Sequence, residues 1–293
     1  MQSLEALIID MIHSDTFYFD SSSYSSLESL VMEWRTEIIH NMGTHSGNIR
    51  IPFSPVPLNW PKLSYGNIDS TCFFSHLELG MWITYLFTGK YNHLWDVGAH
   101  HGIDSCVMAL MKPNAKISSF EPDPEAFEVL DCVLKSNNLN SRVNIHNVAL
   151  SYYEGNDSFV RVHGNTTASH LAGVRSHHGD ISTYTISLSS YTNYQIPDFA
   201  KVNIEGYEKI LLPNLTQDFL SKVALCIEVH SKEDRDAIYD TCTENGLNMY
   251  TQASGFRRVS SKSNLPCSNK EGYLYLSTSR MECALNKSLL PNI

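Results

Sequence analysis

The sequence predicts an α/β fold built on a doubly wound, mostly parallel sheet. Three observations predict it. Short apolar runs alternate with helical patterns from residue 93 onward. One of these runs, KVALCIEVH (222–230), is apolar almost throughout, as a strand covered on both faces must be. A glycine-containing turn follows the first run directly, at the end of the sheet where such folds bind ligands. With 293 residues, 42% hydrophobic and 18% charged, the chain can bury a full core, and wholesale disorder is excluded.

The elements follow in order. Residues 1–69 read as a helical extension ending in a linker. Leu27, Leu30, Val31, Trp34 and Ile38 recur at helical spacing, and the four prolines of IPFSPVPLNWP (51–61) forbid a helix there. The main domain spans 70–280, and 281–293 is a tail. CFFSHLELGMWITYLFTG, from about 71 to 88, is apolar nearly all round and reads as a buried helix. LWDVG is the first strand, and the helix IDSCVMALM is stopped by Pro113. KISSFEP is the second strand. Asp123 then caps a helix with Pro124 in its first turn, and Phe127, Leu130 and Leu134 share its docking face. VNIHNVAL (143–150), FAKVNIEG (199–206), KVALCIEVH and GYLYLST (272–278) are the remaining strands. Ser231 with Asp234 opens a further helix that Gly246 ends. Residues 151–196 interrupt the alternation. DSFVRV and ISTYTISL pattern as an antiparallel hairpin around a loop rich in Gly, Ser, Thr and His, an inserted lid or substrate-shaping element.

Charge and targeting signals narrow the function. Twenty-one basic residues against 31 acidic ones give −10, which disfavours phosphate-backbone binding, so a nucleic-acid partner is not expected. No apolar run is long enough for a membrane span, and the start, MQSLEALIIDMIH, lacks a basic n-region. Seven cysteines without CxxC pairs read as free thiols in a reducing compartment, so a cytoplasmic location is expected. The 13 histidines include His163, His170, His177 and His178 in the insertion, spread too loosely for zinc.

The chemistry concentrates in DVGAHHG (96–102). Gly98 and Gly102 keep the turn tight, but the spacing departs from the G-x-G-x-x-G of nicotinamide sites, and Asp96 would repel a pyrophosphate. The ammonium and sulfonium of S-adenosylmethionine suit that carboxylate. Nineteen residues past Gly102 stands Glu121, placed to accept both ribose hydroxyls. His100 lies within the turn, and Asn147 and Ala149 are expected near the adenine.

In order, DVGAHHG (96–102), FEPDPEAFEVL (120–130), VNIHNVALS (143–151) and KVNIEGYEKILL (201–212) resemble the FkbM-type family of S-adenosylmethionine-dependent methyltransferases, over roughly residues 90–230. The resemblance implies a class I methyltransferase fold, Rossmann-like, with seven strands and a reversed last one. It also implies methyl transfer, often to a hydroxyl. Two positions depart from the family pattern. His100 replaces the asparagine of DVGAN-x-G, and Asn203 replaces the aspartate of K-I-D-V-E-G.

Asn203, Glu205, Glu228 and His230 end the fourth and fifth runs, which are neighbours in that fold. A hydroxyl is a poor nucleophile at neutral pH. His230, with an ordinary imidazole pKa near 6.5, is the expected base, Glu205 orients it or the acceptor, and Asn203 supplies a neutral hydrogen bond. Glu205, Glu228 and Asn203 offer oxygen ligands, but without the family's aspartate no metal is expected. The acceptor reads as a small molecule or glycan. An RNA ribose or cap methyltransferase, which would use a Lys-Asp-Lys-Glu tetrad, and a cofactor-binding domain without turnover are the competing readings. The oligomeric state is left open.

Overall fold

A computed structural model of the chain describes residues 47–49, 56–60, 90–177, 179–251, 258–268 and 273–279. The helices expected at 24–40 and 71–88 and the tail at 281–293 lie outside these residues. The first described pair, β1 (Gly47–Ile49) and β2 (Leu58–Trp60), forms a small antiparallel ladder. The backbone N–H of Asn59 donates to Asn137 Oδ1 at 2.7 Å, and Asn137 Nδ2 donates back to the Asn59 carbonyl at 2.8 Å.

The main alternation runs β3 (His93–Val97), α1 (Ile103–Met111), β4 (Lys116–Phe120), α2 (Pro124–Ser136) and β5 (Val143–His146). An insertion carries β6 (Ala149–Ser151), β7 (Gly155–Val162), β8 (His170–Leu171) and β9 (Ile181–Ser190). The alternation resumes with β10 (Phe199–Val202), α3 (Glu208–Leu211), α4 (Gln217–Lys222) and β11 (Ala224–Glu228). It closes with α5 (Lys232–Glu244), β12 (Asn248–Thr251) and β13 (Tyr273–Ser277).

Among the described residues, seven strands form one sheet in the order β12-β13-β11-β10-β3-β4-β5. Only β13 is reversed, antiparallel to both β11 and β12. This is the class I methyltransferase arrangement. Strand order reverses at β3, which pairs with β10 on one side and β4 on the other, so a crevice opens beyond their carboxyl ends. Val97 is in register with Val202, which sets the turn after β3 beside the loop after β10.

Local chemistry explains the helix starts. The Asp123 side chain accepts from the N–H groups of Glu125 and Ala126, and Pro124 occupies the first turn. Ser231 Oγ accepts from the Asp234 N–H at 3.1 Å and opens α5. The docking face of α2 is Ala126, Val129, Leu130, Val133 and Leu134. Phe127, expected on that face, is only half-buried, because the i, i+3, i+4 rows run through its neighbours. Trp95 centres the core between the rings of Phe120, Tyr194 and Phe219.

Two expectations need correction. The run 143–150 is not one strand, because the chain turns at Asn147 and β6 joins the insertion. Asn147 Nδ2 donates to the carbonyls of Glu121 and Pro122, which fixes that turn. The insertion is also more than a hairpin. The expected β7–β9 pairing is present, but β6 lies parallel to β9 and β8 flanks β7, making a four-stranded sheet. Its core, which includes Phe159, Leu171, Ile186 and Leu188, packs on Tyr207 and Leu211. The insertion therefore rests on the segment that follows β10.

Among the described residues, no helix is long and apolar enough to cross a membrane. Cys106 and Cys242 are buried free thiols, while Cys132 is an exposed one.

Candidate active site

The turn after β3 is built for close approach of backbone. Gly98 and Gly102 sit at φ +80° and +84°. A Cβ on Gly98 would lie 1.8 Å from the Asn203 carbonyl oxygen, and one on Gly102 would lie 2.3 Å from Leu130 Cδ1. Backbone leaves Gly98 no room for any other residue, and at both positions the positive φ disfavours a side chain. The N–H groups of Gly98 and Ala99 both donate to the Phe120 carbonyl at 3.0 Å, tying the turn to the end of β4.

Glu121 stands directly beside that turn. Its Oε2 accepts the His100 N–H at 2.7 Å, and its Oε1 accepts the Asp123 N–H at 2.8 Å. Burial pushes the carboxyl up to about 8, although these two N–H bonds oppose the shift. His100 stacks on His101 at 3.7 Å, and its Nε2 meets Thr166 Oγ1 of the insertion at 3.0 Å. Burial holds His100 well below the ordinary imidazole range and lowers His101 to about 4, so both rings are neutral at physiological pH. His101 Nδ1 is buried and has no hydrogen-bond partner among the described residues.

Beneath the turn lies a buried charge cluster. Asp96 is wholly inaccessible; it accepts from Ser105 Oγ at 2.6 Å and pairs with Lys201 Nζ at 3.3 Å. Lys201 also reaches Asp104 at 3.0 Å and donates to the Gly98 carbonyl at 3.1 Å. Burial works against the Lys201 charge, but Asp96 and Asp104 outweigh it and hold the ammonium well above its usual range.

At the neighbouring strand ends, Asn203, Glu205 and His230 come together. His230 Nε2 faces three oxygens: Asn203 Oδ1 at 3.1 Å, Glu228 Oε2 at 3.3 Å and Glu208 Oε1 at 3.6 Å. Surrounded by acceptors, Nε2 carries the ring hydrogen. That leaves the Nδ1 lone pair without a hydrogen-bond partner among the described residues, 3.7 Å from Glu205 Oε2. Glu205 has φ +56°, a left-handed backbone in a residue with a Cβ. Arg175, from the insertion, bonds Glu205 Oε2 at 2.6 Å.

A methyltransferase FkbM domain matches residues 96–257, more than half of the chain. The chain belongs to this methyltransferase family. Its cofactor is S-adenosylmethionine.

No curated protein matches this FkbM-family chain. Several solved structures are similar at low identity. A segment of StiE O-MT shares 12% identity at TM-score 0.33, covering 54% of this chain and 46% of that one. This chain thus spans about half the length of that relative. The C-terminal domain of precorrin-6Y C5,15-methyltransferase from Rhodobacter capsulatus shares 12% at TM-score 0.41, with 70% and 88% covered. P. horikoshii TYW2, in complex with MeSAdo, shares 13% at TM-score 0.38, with 79% and 69% covered.

The residues present fit the cofactor. The two glycines let the turn pack tightly against Asn203 and Leu130, Glu121 offers a carboxylate beside it, and His101 Nδ1 is an orphaned polar atom there. Sequence reasoning placed Asp96 against the cofactor's positive charge. In the structure that carboxylate is occupied by Ser105 and Lys201, so its cationic partner belongs to the protein. Asn147 is exposed and braces the Glu121 carbonyl, while Ala149 is buried in the insertion's core.

At the other end of the FkbM-family site, burial first, then the charges of Arg175, Lys209 and Lys201, lower His230 to about 3. The ordinary imidazole titration expected from the sequence is thereby removed, because the ring lies inside the fold. Glu205, Glu228 and His230 bring possible ligand atoms within 4.8 Å of one another. A divalent ion there would compete with the Arg175 guanidinium for Glu205. Arg175, His101 and Glu208 were not singled out from the sequence. An arginine in a polar insertion carries no periodic signal, and its meeting with Glu205 is a tertiary fact.

Proposed function

We propose that this chain transfers the methyl group of S-adenosylmethionine to a hydroxyl of a small molecule or sugar. The observation that carries this reading is the neutral His230 ring, whose Nδ1 lone pair faces Glu205 across 3.7 Å beside the cofactor turn. When bound, the cofactor supplies an electrophilic methyl on a sulfonium. The protein's own task is to hold the cofactor, align the acceptor oxygen and take its proton.

Glu121, the tight turn through Gly98 and Gly102, and His101 serve the cofactor side. Asp96 positions the turn from beneath rather than touching the ligand. On the acceptor side, His230 Nδ1 receives the hydroxyl proton as the methyl is transferred. Asn203 Oδ1 accepts from Nε2–H and keeps the ring in that tautomer, and the Glu205 carboxylate stabilises the imidazolium as it forms. Arg175 orients Glu205 from the insertion. The tautomer and the nearby carboxylate follow the general logic of a base held in place by hydrogen-bond partners.

An RNA ribose reading needs an accessible lysine tetrad. Lys201 is buried against Asp96 and Asp104 and is committed to the fold, which favours the small-molecule reading.

The test is methyl transfer from isotope-labelled S-adenosylmethionine to a panel of sugar and alcohol acceptors, with the labelled atom located by NMR. Label on oxygen is expected, and label only on nitrogen or carbon would refute the reading. His230→Ala should leave S-adenosylhomocysteine affinity intact and lower turnover about 10²–10⁴-fold. If His230→Ala turns over normally while Glu205→Ala is dead, the glutamate is the base.

A further inference from the structure

We infer that Glu208 is a positioning residue that holds Glu205 against His230 by gripping the peptide groups on either side of it. The inference rests on the reading of Glu205 and His230 as the acceptor-activating pair. The Ile204 N–H donates to Glu208 Oε1 at 2.6 Å, and the Gly206 N–H donates to Glu208 Oε2 at 2.8 Å. Between these two anchored amides, Glu205 takes its left-handed φ of +56°. A residue with a Cβ keeps that conformation only where its surroundings over-determine it. Here one buried carboxylate does so, with an oxygen for each flanking amide.

The same side chain reaches the other member of the pair. Glu208 opens α3 with no exposed side-chain surface, and its Oε1 lies 3.6 Å from His230 Nε2. The loop it grips is pressed on the cofactor turn as well. The Asn203 N–H donates to the Val97 carbonyl at 3.0 Å, and the Asn203 carbonyl fills the space that a Cβ on Gly98 would need. Glu208 therefore sets the distance between Glu205, the imidazole and the turn at once. A positional error of about 1 Å at such a site costs on the order of 10²-fold in rate.

The groups facing Glu208 are His230 beyond β11, Glu205 in the loop and Asp234 on α5, with Lys209 3.7 Å from Asp234. Burial pushes the Glu208 carboxyl up to about 8, the N–H groups of Ile204 and of Glu208 itself oppose the shift, and Asp234 and Glu205 add to it. The ionised form offers a good acceptor to the Ile204 and Gly206 amides, whereas the acid keeps only its carbonyl oxygen for that role. The grip on Glu205 is therefore expected to tighten as pH rises through about 8.

The test is an NMR titration of the ¹⁵N-labelled protein without acceptor. In the wild type, the Ile204 and Gly206 amide resonances should move together with a midpoint near about 8, and in Glu208→Gln that movement should vanish. With an acceptor from the hydroxyl panel, Glu208→Gln should lower kcat about 10²-fold while S-adenosylhomocysteine affinity is kept. The rise of wild-type kcat through the same pH range should also disappear. Amides that do not titrate together, or a Glu208→Gln enzyme with wild-type kcat, would overturn the inference. If Glu208→Gln does not fold, the wild-type amide titration decides alone. Absence of hydroxyl methylation would defeat the proposed function, while the amide titration would still decide the role of Glu208.

Discussion

The proposed contact between Glu121 and the cofactor ribose makes binding a proton-linked event. The Glu121 carboxyl is pushed up to about 8 by burial, so in the free protein at pH 6 only about 1% is ionised, against about half at pH 8. Ribose hydroxyls donate to a carboxylate and favour its charged form, so binding must expel the proton. Below the carboxyl pKa, the apparent Kd is the intrinsic value divided by the ionised fraction. Between pH 6 and pH 8 the affinity for S-adenosylhomocysteine should therefore improve by about 50-fold. At pH 7, binding should release about 0.9 proton, visible in calorimetry as a binding enthalpy that changes with the ionisation enthalpy of the buffer. Glu121→Gln keeps the side chain's size without its titration and should show neither effect, which also subtracts any titration of the ligand itself. A wild-type Kd that is flat from pH 6 to 8, with no buffer-dependent enthalpy, would refute the assignment of Glu121 to the ribose.

The same carboxyl affects stability with a definite sign. Its folded pKa lies above the unfolded 4.5, so its contribution is complete below 4.5 and lost as pH rises through about 8, and the Tm of free protein should fall over that window. Saturating S-adenosylhomocysteine should recover most of the loss at pH 8. Gly98→Ala places a methyl 1.8 Å from the Asn203 carbonyl oxygen at a positive φ, so it should abolish cofactor binding in calorimetry or prevent folding seen by circular dichroism. Lys201→Met leaves Asp96 and Asp104 buried without their cation and should cost about 3–5 kcal/mol in urea unfolding. Asn203→Asp puts a carboxylate 3.1 Å from His230 Nε2, and the imidazole pKa, followed by NMR, should rise by about 1–3 units.

The sheet was legible because its strands carry their own signal. KVALCIEVH reads as buried on both faces, and β11 sits inside the sheet between β10 and β13. Asp123-Pro124 and Ser231 with Asp234 are local capping chemistry, and both caps formed where the residues put them. The strand Asn248–Thr251 was silent because Asn-Met-Tyr-Thr has neither alternation nor a continuous apolar run; pairing with β13 makes it a strand. The run 143–150 misled because its apolar pattern continues smoothly across Asn147. There the break comes from hydrogen bonds to Glu121 and Pro122, which are distant in sequence.

Within the site, residue identity was easier to read than environment. Asn203, Glu205 and His230 were placed together by the ends of two neighbouring strands, and the structure brings them within hydrogen-bonding range of one another or close to it. Their surroundings carry no sequence signature. His230 titrates far from an ordinary imidazole because it is enclosed, and its enclosure depends on Glu208, Glu228 and an arginine reaching in from the insertion. The change from the family's aspartate to Asn203 then has a definite physical meaning. An aspartate at that position would add a negative charge to a pocket already lined by the carboxyl groups of Glu205, Glu208 and Glu228. Asparagine keeps the hydrogen bond that fixes the ring and omits the charge. In the proposed mechanism the departure therefore preserves the tautomer with its lone pair on Nδ1 while reducing the ring's basicity, which places more of the burden of stabilising the imidazolium on Glu205 and on whatever holds Glu205 in place.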